Sequence, residues 1–179
     1  MNKKYQVIYA DPPWKYNFSP SKISSVDRYY DTISLEKLKC LQVPSEDNSV
    51  LFLWVIAPKL LEGLDLLKSW GFQYKTNAVW DKDRVGMGYW FLGQHELLLV
   101  GTKGKFSPPK AKWRVSSIYV ENTRKHAKKP DYFRDLILRS YRNESKIELF
   151  SRQKTDGWDC WGNEVEPDIE LGFKNENDK

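Results

Sequence analysis

Val7-Ile8-Tyr9-Ala10-Asp11-Pro12-Pro13-Trp14 stands near the start of the 179-residue chain. A short apolar run ends abruptly in one acid, two prolines and an indole. Its apolar part, residues 5 to 10, is rich in β-branched and aromatic side chains and predicts a buried strand. The residue before a proline is pushed out of the helical region, so Asp11 is expected to be extended. Pro12 and Pro13 each fix φ and remove a donor, which predicts carbonyls left free to accept from outside. The strand end then sets a carboxylate, a rigid carbonyl and a flat aromatic side by side. A purine amine offers two N–H donors, one for the Asp11 carboxylate and one for the Pro12 carbonyl. Accepting both withdraws the nitrogen lone pair from the ring and aims it at an electrophile. Trp14 is expected to stack on the base, a contact worth ~1–3 kcal/mol, and a base taken from a duplex must first be flipped out. The plainer alternative is a strand and a Pro-Pro turn in which Asp11 only caps backbone.

Outward from this stretch, strands and helices alternate. Residues 15 to 31 are polar and without period, which predicts a long loop. Ser34 is placed to cap a helix running to Leu41. Residues 49 to 55 read as a second buried strand. Residues 58 to 70 read as a helix with Leu60, Leu61, Leu64 and Leu67 inward and Gly71 as its stop. Strands follow over 72 to 80 and 96 to 100, separated by a charged, glycine-containing loop over 81 to 93. A short strand is expected over 116 to 120. A helix over 130 to 141 turns Phe133, Leu136 and Ile137 inward, and a last strand covers 146 to 150. The alternation predicts an α/β fold, a mostly parallel sheet with helices on both faces, whose ligands sit at the carboxyl ends of the strands. Residues 1 to 164 are expected to form one domain, and 165 to 179 a polar, frayed tail.

The net charge of +5 and pI of about 9.0 are compatible with a polyanionic partner without requiring one. Cys40 and Cys160 are too few for a disulfide framework and lack the spacing of a zinc site, so no metal is expected. No leader-like apolar segment opens the chain, and the longest apolar stretch is too short for a bilayer. A soluble, cytoplasmic protein without membrane contact is therefore expected. Gly101-Thr102-Lys103-Gly104-Lys105-Phe106 fails as a phosphate loop because its glycines are too close and Phe106 replaces a hydroxyl residue. Gly86-Met87-Gly88 lacks the third glycine of a dinucleotide fingerprint. The basic run from Arg124 through His126 to Lys129 reads as a phosphate contact beside the cleft.

Asp11-Pro12-Pro13-Trp14 resembles the catalytic motif of the MT-A-seventy family, the adenine methyltransferases related to the messenger-RNA adenosine methylase. Further segments agree in order: Tyr30-Asp31-Thr32-Ile33-Ser34, Leu51-Phe52-Leu53-Trp54-Val55, Gln94-His95-Glu96, His126-Ala127-Lys128-Lys129-Pro130-Asp131, Glu148-Leu149-Phe150-Ser151-Arg152 and Gly162-Asn163-Glu164. The resemblance implies S-adenosylmethionine as methyl donor. It also implies a Rossmann-like methyltransferase fold in the permuted β-class order, with the catalytic tetrapeptide ahead of the cofactor strand. It makes Asp11, Pro12, Pro13 and Trp14 catalytic. It assigns Ala10, Lys129, Glu148, Phe150, Arg152, Asn163 and Glu164 to the cofactor, with Lys129 either on its methionine carboxylate or beside the target base. Lys15, Tyr16, Tyr30, Glu96, Arg124 and His126 fall on the substrate side. The longer eukaryotic relatives carry an upstream segment against the cofactor adenine, and this chain begins too close to Asp11 to include it. Target preference is then expected from the loops over 15 to 31 and 81 to 93, or from a partner.

These readings converge on methyl transfer to the N6 amine of adenine in nucleic acid. DNA is the expected substrate and RNA the first alternative. A catalytically silent nucleic-acid-binding subunit is another alternative, weakened by the intact acidic tetrapeptide, and a cofactor-free aromatic binding module is a third. Monomer and homodimer are both compatible with the sequence.

Overall fold

The computed structural model describes residues 3–15, 32–88, 90–122 and 128–174. In chain order the elements are β1 (Tyr5–Ala10), α1 (Leu35–Cys40), β2 (Ser45–Ile56), α2 (Leu60–Ser69), β3 (Gln73–Asp81), β4 (His95–Lys103), β5 (Ile118–Val120), α3 (Asp131–Ser140), β6 (Lys146–Leu149) and β7 (Asp159–Trp161). The seven strands form one sheet in the order β5-β3-β4-β2-β1-β6-β7. All run the same way except β4, which is antiparallel to both β2 and β3. The sheet is thus mostly parallel, as expected, with one reversed strand. The connection from β3 to β4 is a hairpin without a crossover helix, so the two strands pair antiparallel.

Both faces of the sheet are covered, which is why its strands read as continuous apolar runs. Leu51, Leu53 and Val55 of β2 face α1 and α2, together with Leu97 and Leu99 of β4. Val50, Phe52 and Trp54 face the opposite way, joining Phe133 and Ile137 of α3. Ser34 caps α1 as expected, its hydroxyl accepting from the Lys37 N–H at 3.3 Å. α2 seats closely because two glycines admit it. A Cβ on Gly63 would stand 2.8 Å from Val55 Cγ2, and one on Gly101 2.9 Å from Leu67 Cδ1. This seating turns Leu66 inward and corrects the expected helical face. Leu61 lies roughly 200° around the helix from Gly63 and is 81% exposed. On α3, Arg134 is buried where Leu136 was expected, and Leu136 is only half-buried.

The tail also departs from expectation. β7 adds an edge strand beside β6 that three residues could not announce. Beyond Glu164 the described chain packs rather than frays. Asp168 accepts from the Cys160 N–H at 2.9 Å and pairs with Lys154 at 2.9 Å, and these contacts hold its carboxyl down at about 2. Ile169 and Leu171 pack on the core, and Phe173 bridges to Leu41.

The sheet has two functionally distinct rims. β1, β2, β3, β6 and β7 end on one, where the reversed β4 begins, and this carboxyl rim carries Asp11. From β1 the chain crosses to β2 on one side, and it later returns through α3 to β6 on the other. The switch point therefore lies between β1 and β6, where ligands bind in sheets of this kind.

Candidate active site

The end of β1 is fixed by its two prolines and by what they accept. The Pro12 carbonyl accepts from the Trp14 N–H at 2.9 Å, and the Pro13 carbonyl from the Ile33 N–H at 3.0 Å. The expectation that these carbonyls stand free is thus corrected. A carbonyl oxygen has two lone pairs, so Pro12 retains one for a further donor.

Trp14 departs further from its expected role. It is 7% exposed and packs in the core on the α1 and α2 side. Its indole N–H donates to the Trp54 carbonyl at 3.1 Å, tying the turn to β2. A ring enclosed in this way presents no face to a base. Trp14 braces the Asp-Pro-Pro turn from behind, and the stacking role is withdrawn.

Asp11 stands at the head of a chain of alternating charges. Lys129, just ahead of α3, donates to Asp11 Oδ2 at 2.7 Å and lies 3.4 Å from Glu96 Oε2. Glu96 Oε1 pairs with Lys82 at 2.6 Å. Beneath them, the Lys129 ammonium lies 5.7 Å from the centre of the Trp54 ring, within cation–π range. Burial pushes the Asp11 carboxyl above the usual aspartate range, against the pull of Lys129. Burial also works against the Lys129 charge, but Asp11 and Glu96 hold the ammonium above its ordinary value. Burial would likewise raise Glu96, yet Lys129 and Lys82 keep its carboxyl below the ordinary range. Asp11 Oδ1 has no hydrogen-bond partner among the described residues.

On the other side of the switch point, β6 ends in a tight reversal. Phe150 sits at φ +62°, and the Ser151 N–H donates to the Trp161 carbonyl at 3.0 Å. Gly162 crosses so close to this reversal that a Cβ there would stand 2.2 Å from the Ser151 carbonyl oxygen. The rings of Phe150 and Trp161 meet edge-on at 5.4 Å. Arg152 reaches Glu164 at 3.6 Å, not the Asp156 that is nearer in sequence. One layer down, Glu148 faces Arg134 at 3.2 Å. Their Oε2 and Nε atoms are buried without a well-aligned hydrogen bond. Burial pushes the Glu148 carboxyl up to about 7, with Arg134 opposing and Asp11 reinforcing.

The fold thus gathers Asp11, Glu96 and Lys129 on one side of the crevice. Phe150, Arg152, Asn163 and Glu164 sit at the adjoining strand ends. Ala10 is fully buried at the end of β1. Lys15 is exposed. Tyr16, Tyr30, Arg124 and His126, expected on the substrate side, lie outside the described residues. Sequence reasoning missed Lys82, Trp54 and Arg134. Only Lys82 carried a signal, as a cation in the loop leading to Glu96.

The expected loop over 81 to 93 is a narrow hairpin. The Gly86 N–H donates to the Gly93 carbonyl at 2.7 Å, and the Lys82 N–H to the Gln94 carbonyl at 2.9 Å. It lifts Met87, Trp90 and Phe91, 97%, 94% and 89% exposed, above the rim that carries Asp11.

The profile described as MT-A70 matches residues 5–164. The chain belongs to the MT-A70 family. It is 39% identical to the type II methyltransferase M.MunI of Mycoplasma sp, over 99% of this chain and 85% of that protein. It is 30% identical to an N(6)-adenosine-methyltransferase MT-A70-like protein of Drosophila melanogaster, over 91% of this chain. It is 29% identical to the N(6)-adenosine-methyltransferase catalytic subunit METTL3 of Homo sapiens, over 96% of this chain. It spans only 27% and 31% of the lengths of those two animal relatives. The MT-A70 match covers both halves of the crevice, from the turn after β1 to the strand ends at Asn163 and Glu164.

Proposed function

We propose that this chain transfers a methyl group from S-adenosylmethionine to the N6 amine of adenine in DNA. Membership of the MT-A70 family makes it an adenine N6-methyltransferase enzyme acting on nucleic acid. The near end-to-end match to a type II methyltransferase supports DNA over RNA. The observation that carries the mechanism is Asp11 Oδ1, without a hydrogen-bond partner among the described residues, one residue ahead of a Pro12 carbonyl that keeps a second lone pair.

Those two acceptors take the two N–H bonds of a purine amine. The nitrogen lone pair then turns out of conjugation and becomes nucleophilic. Lys129 opposes the burial that raises the Asp11 carboxyl and fixes its orientation through Oδ2. Glu96 and Lys82 hold Lys129 in turn, so the carboxylate is aimed before substrate arrives. Once the amine is alkylated it carries an extra proton, and that proton leaves to Asp11 or to water.

The residues across the switch point fit S-adenosylmethionine. Glu148 and Asn163 offer acceptors for ribose hydroxyls. Phe150 offers apolar cover, and Arg152 with Glu164 supplies charge at the outer edge. When bound, the cofactor supplies an electrophilic sulfonium methyl whose departure requires no strong base. Of the two recognition loops expected from sequence, the hairpin over 82 to 94 is described, and it stands over the same rim.

The test is labelled methyl transfer to matched DNA and RNA oligonucleotides, followed by nucleoside analysis. N6-methyladenine in DNA is expected. Label found only in RNA would overturn the substrate assignment, and label on another base or on protein would overturn the reaction.

A further inference from the structure

The amino rim of the sheet carries a second feature that the crevice does not use. The chain from Lys103 to Ser117 holds five cations, Lys103, Lys105, Lys110, Lys112 and Arg114, and no acid. Leaving β4 at the amino rim, it crosses the end of α3, where the Phe106 and Tyr141 rings meet at 5.3 Å and the Tyr141 hydroxyl donates to the Ser107 carbonyl at 3.4 Å. Between this crossing and the end of α3 lies a pocket of about 440 Å³, lined by Lys110, Lys112, Trp113, Arg139, Arg142 and Glu144 among others. Four cations thus face one carboxylate.

None of the four pairs with a carboxylate among the described residues. Arg139 Nε donates to the Asp135 carbonyl at 3.2 Å, and Glu144 accepts from the Asn143 N–H at 3.1 Å. Trp113 sets their arrangement. Lys112 Nζ lies 5.3 Å and Arg142 Cζ 5.9 Å from its ring centre. Two of the four cations are thereby held against one ring. Four cations without an ion pair among the described residues, set against a single acid in a concave pocket, suit phosphate oxygens.

We infer that this pocket is a second contact for the nucleic-acid backbone, holding phosphates at a distance from the target base. The inference rests on the nucleic-acid reading of the active site. α3 links the two places, beginning next to Lys129 and ending at Ser140. Ten helical residues span ~15 Å, which is roughly four to five base steps of duplex. The pocket would therefore add affinity only for substrates that continue several steps past the target.

Binding tests this without depending on catalysis. Affinity is measured against salt for duplexes of about 8 and about 24 base pairs. Wild type is compared with the triple variant Lys110→Gln, Lys112→Gln, Arg142→Gln. A control triple, Lys37→Gln, Lys68→Gln, Lys75→Gln, makes the same charge change elsewhere. On the long duplex the first triple should bind roughly 10-fold or more weakly, with a salt slope shallower by about 2–3. On the short duplex it should match wild type. Unchanged length dependence and slope would overturn the inference, as would an equal loss in the control triple. Either result, found alongside intact methyl transfer, would leave the active-site reading standing. A wild type that binds neither duplex would overturn both.

Discussion

The two rims of this sheet are both rich in lysine, yet they treat it in opposite ways. At the carboxyl rim each buried cation has a carboxylate on it, in the order Asp11, Lys129, Glu96, Lys82. At the amino rim Lys110, Lys112, Arg139 and Arg142 share a single nearby acid, Glu144. The difference follows from burial. A charge taken out of water is tolerated only when paired, because an uncompensated one costs several kcal/mol. Exposed charges face no such requirement, so an excess of one sign can persist there and meet a polyanion. Pairing at the first rim tunes single groups for chemistry. Imbalance at the second leaves a field for binding.

The sharpest way to break this contrast is Asp11→Asn. It keeps the shape and removes the anionic acceptor, so methyl transfer should fall by at least ~10²–10³-fold with cofactor affinity little changed. Near wild-type turnover would overturn the mechanism. Next comes Trp14→Ala, which empties a core position behind the catalytic turn. A loss of ~3–5 kcal/mol in unfolding free energy is expected, and denaturant titration would measure it. A stable variant with weakened substrate binding would instead assign Trp14 a stacking role.

Glu148→Gln probes the buried pair below the crevice. Because the folded carboxyl lies near 7 and above its ordinary value, the native state holds a proton that the unfolded chain gives up. That contribution is fully present below about pH 4.5 and is lost as pH rises through about 7, a change of ~3 kcal/mol at most. Thermal melts of wild type should decline across that window, and those of Glu148→Gln should stay flatter. Lys129→Gln removes the cation that pulls Asp11 down, so Asp11 should ionise later. The acidic limb of kcat should move to higher pH, and a limb that stays put would detach Lys129 from Asp11. The smallest effect belongs to the amino rim, where the Lys110, Lys112 and Arg142 triple should shift stability by no more than ~0.5 kcal/mol.

Most strands and helices were legible because covering both faces of the sheet makes each strand a run of apolar residues. β1 was bounded correctly at Ala10 because two prolines end it. β7 was not legible, since its three residues carry no period of their own and depend on pairing with β6. Leu61 was misassigned because two small residues, Gly63 and Gly101, decide which side of α2 can approach the sheet, and periodicity counts only large ones. Asp11, Glu96 and Lys129 were each legible as candidate site residues. Their joining into one charge chain was not, because Lys82 and Lys129 reach it from loops far apart in the chain. Trp14 shows the limit of reading chemistry from residue type. An indole beside a reactive carboxylate looks like a platform until its N–H is found on the Trp54 carbonyl.

Phe150 holds a left-handed backbone that side chains other than glycine seldom adopt, at a cost on the order of 1–3 kcal/mol. Phe150→Gly would relieve that tension, but it would also strip away a ring that packs on the core and meets Trp161 and would loosen the unfolded chain. The strained backbone is thus kept in place by the packing of the side chain it carries, and the reversal after β6 cannot be relaxed without unseating that ring.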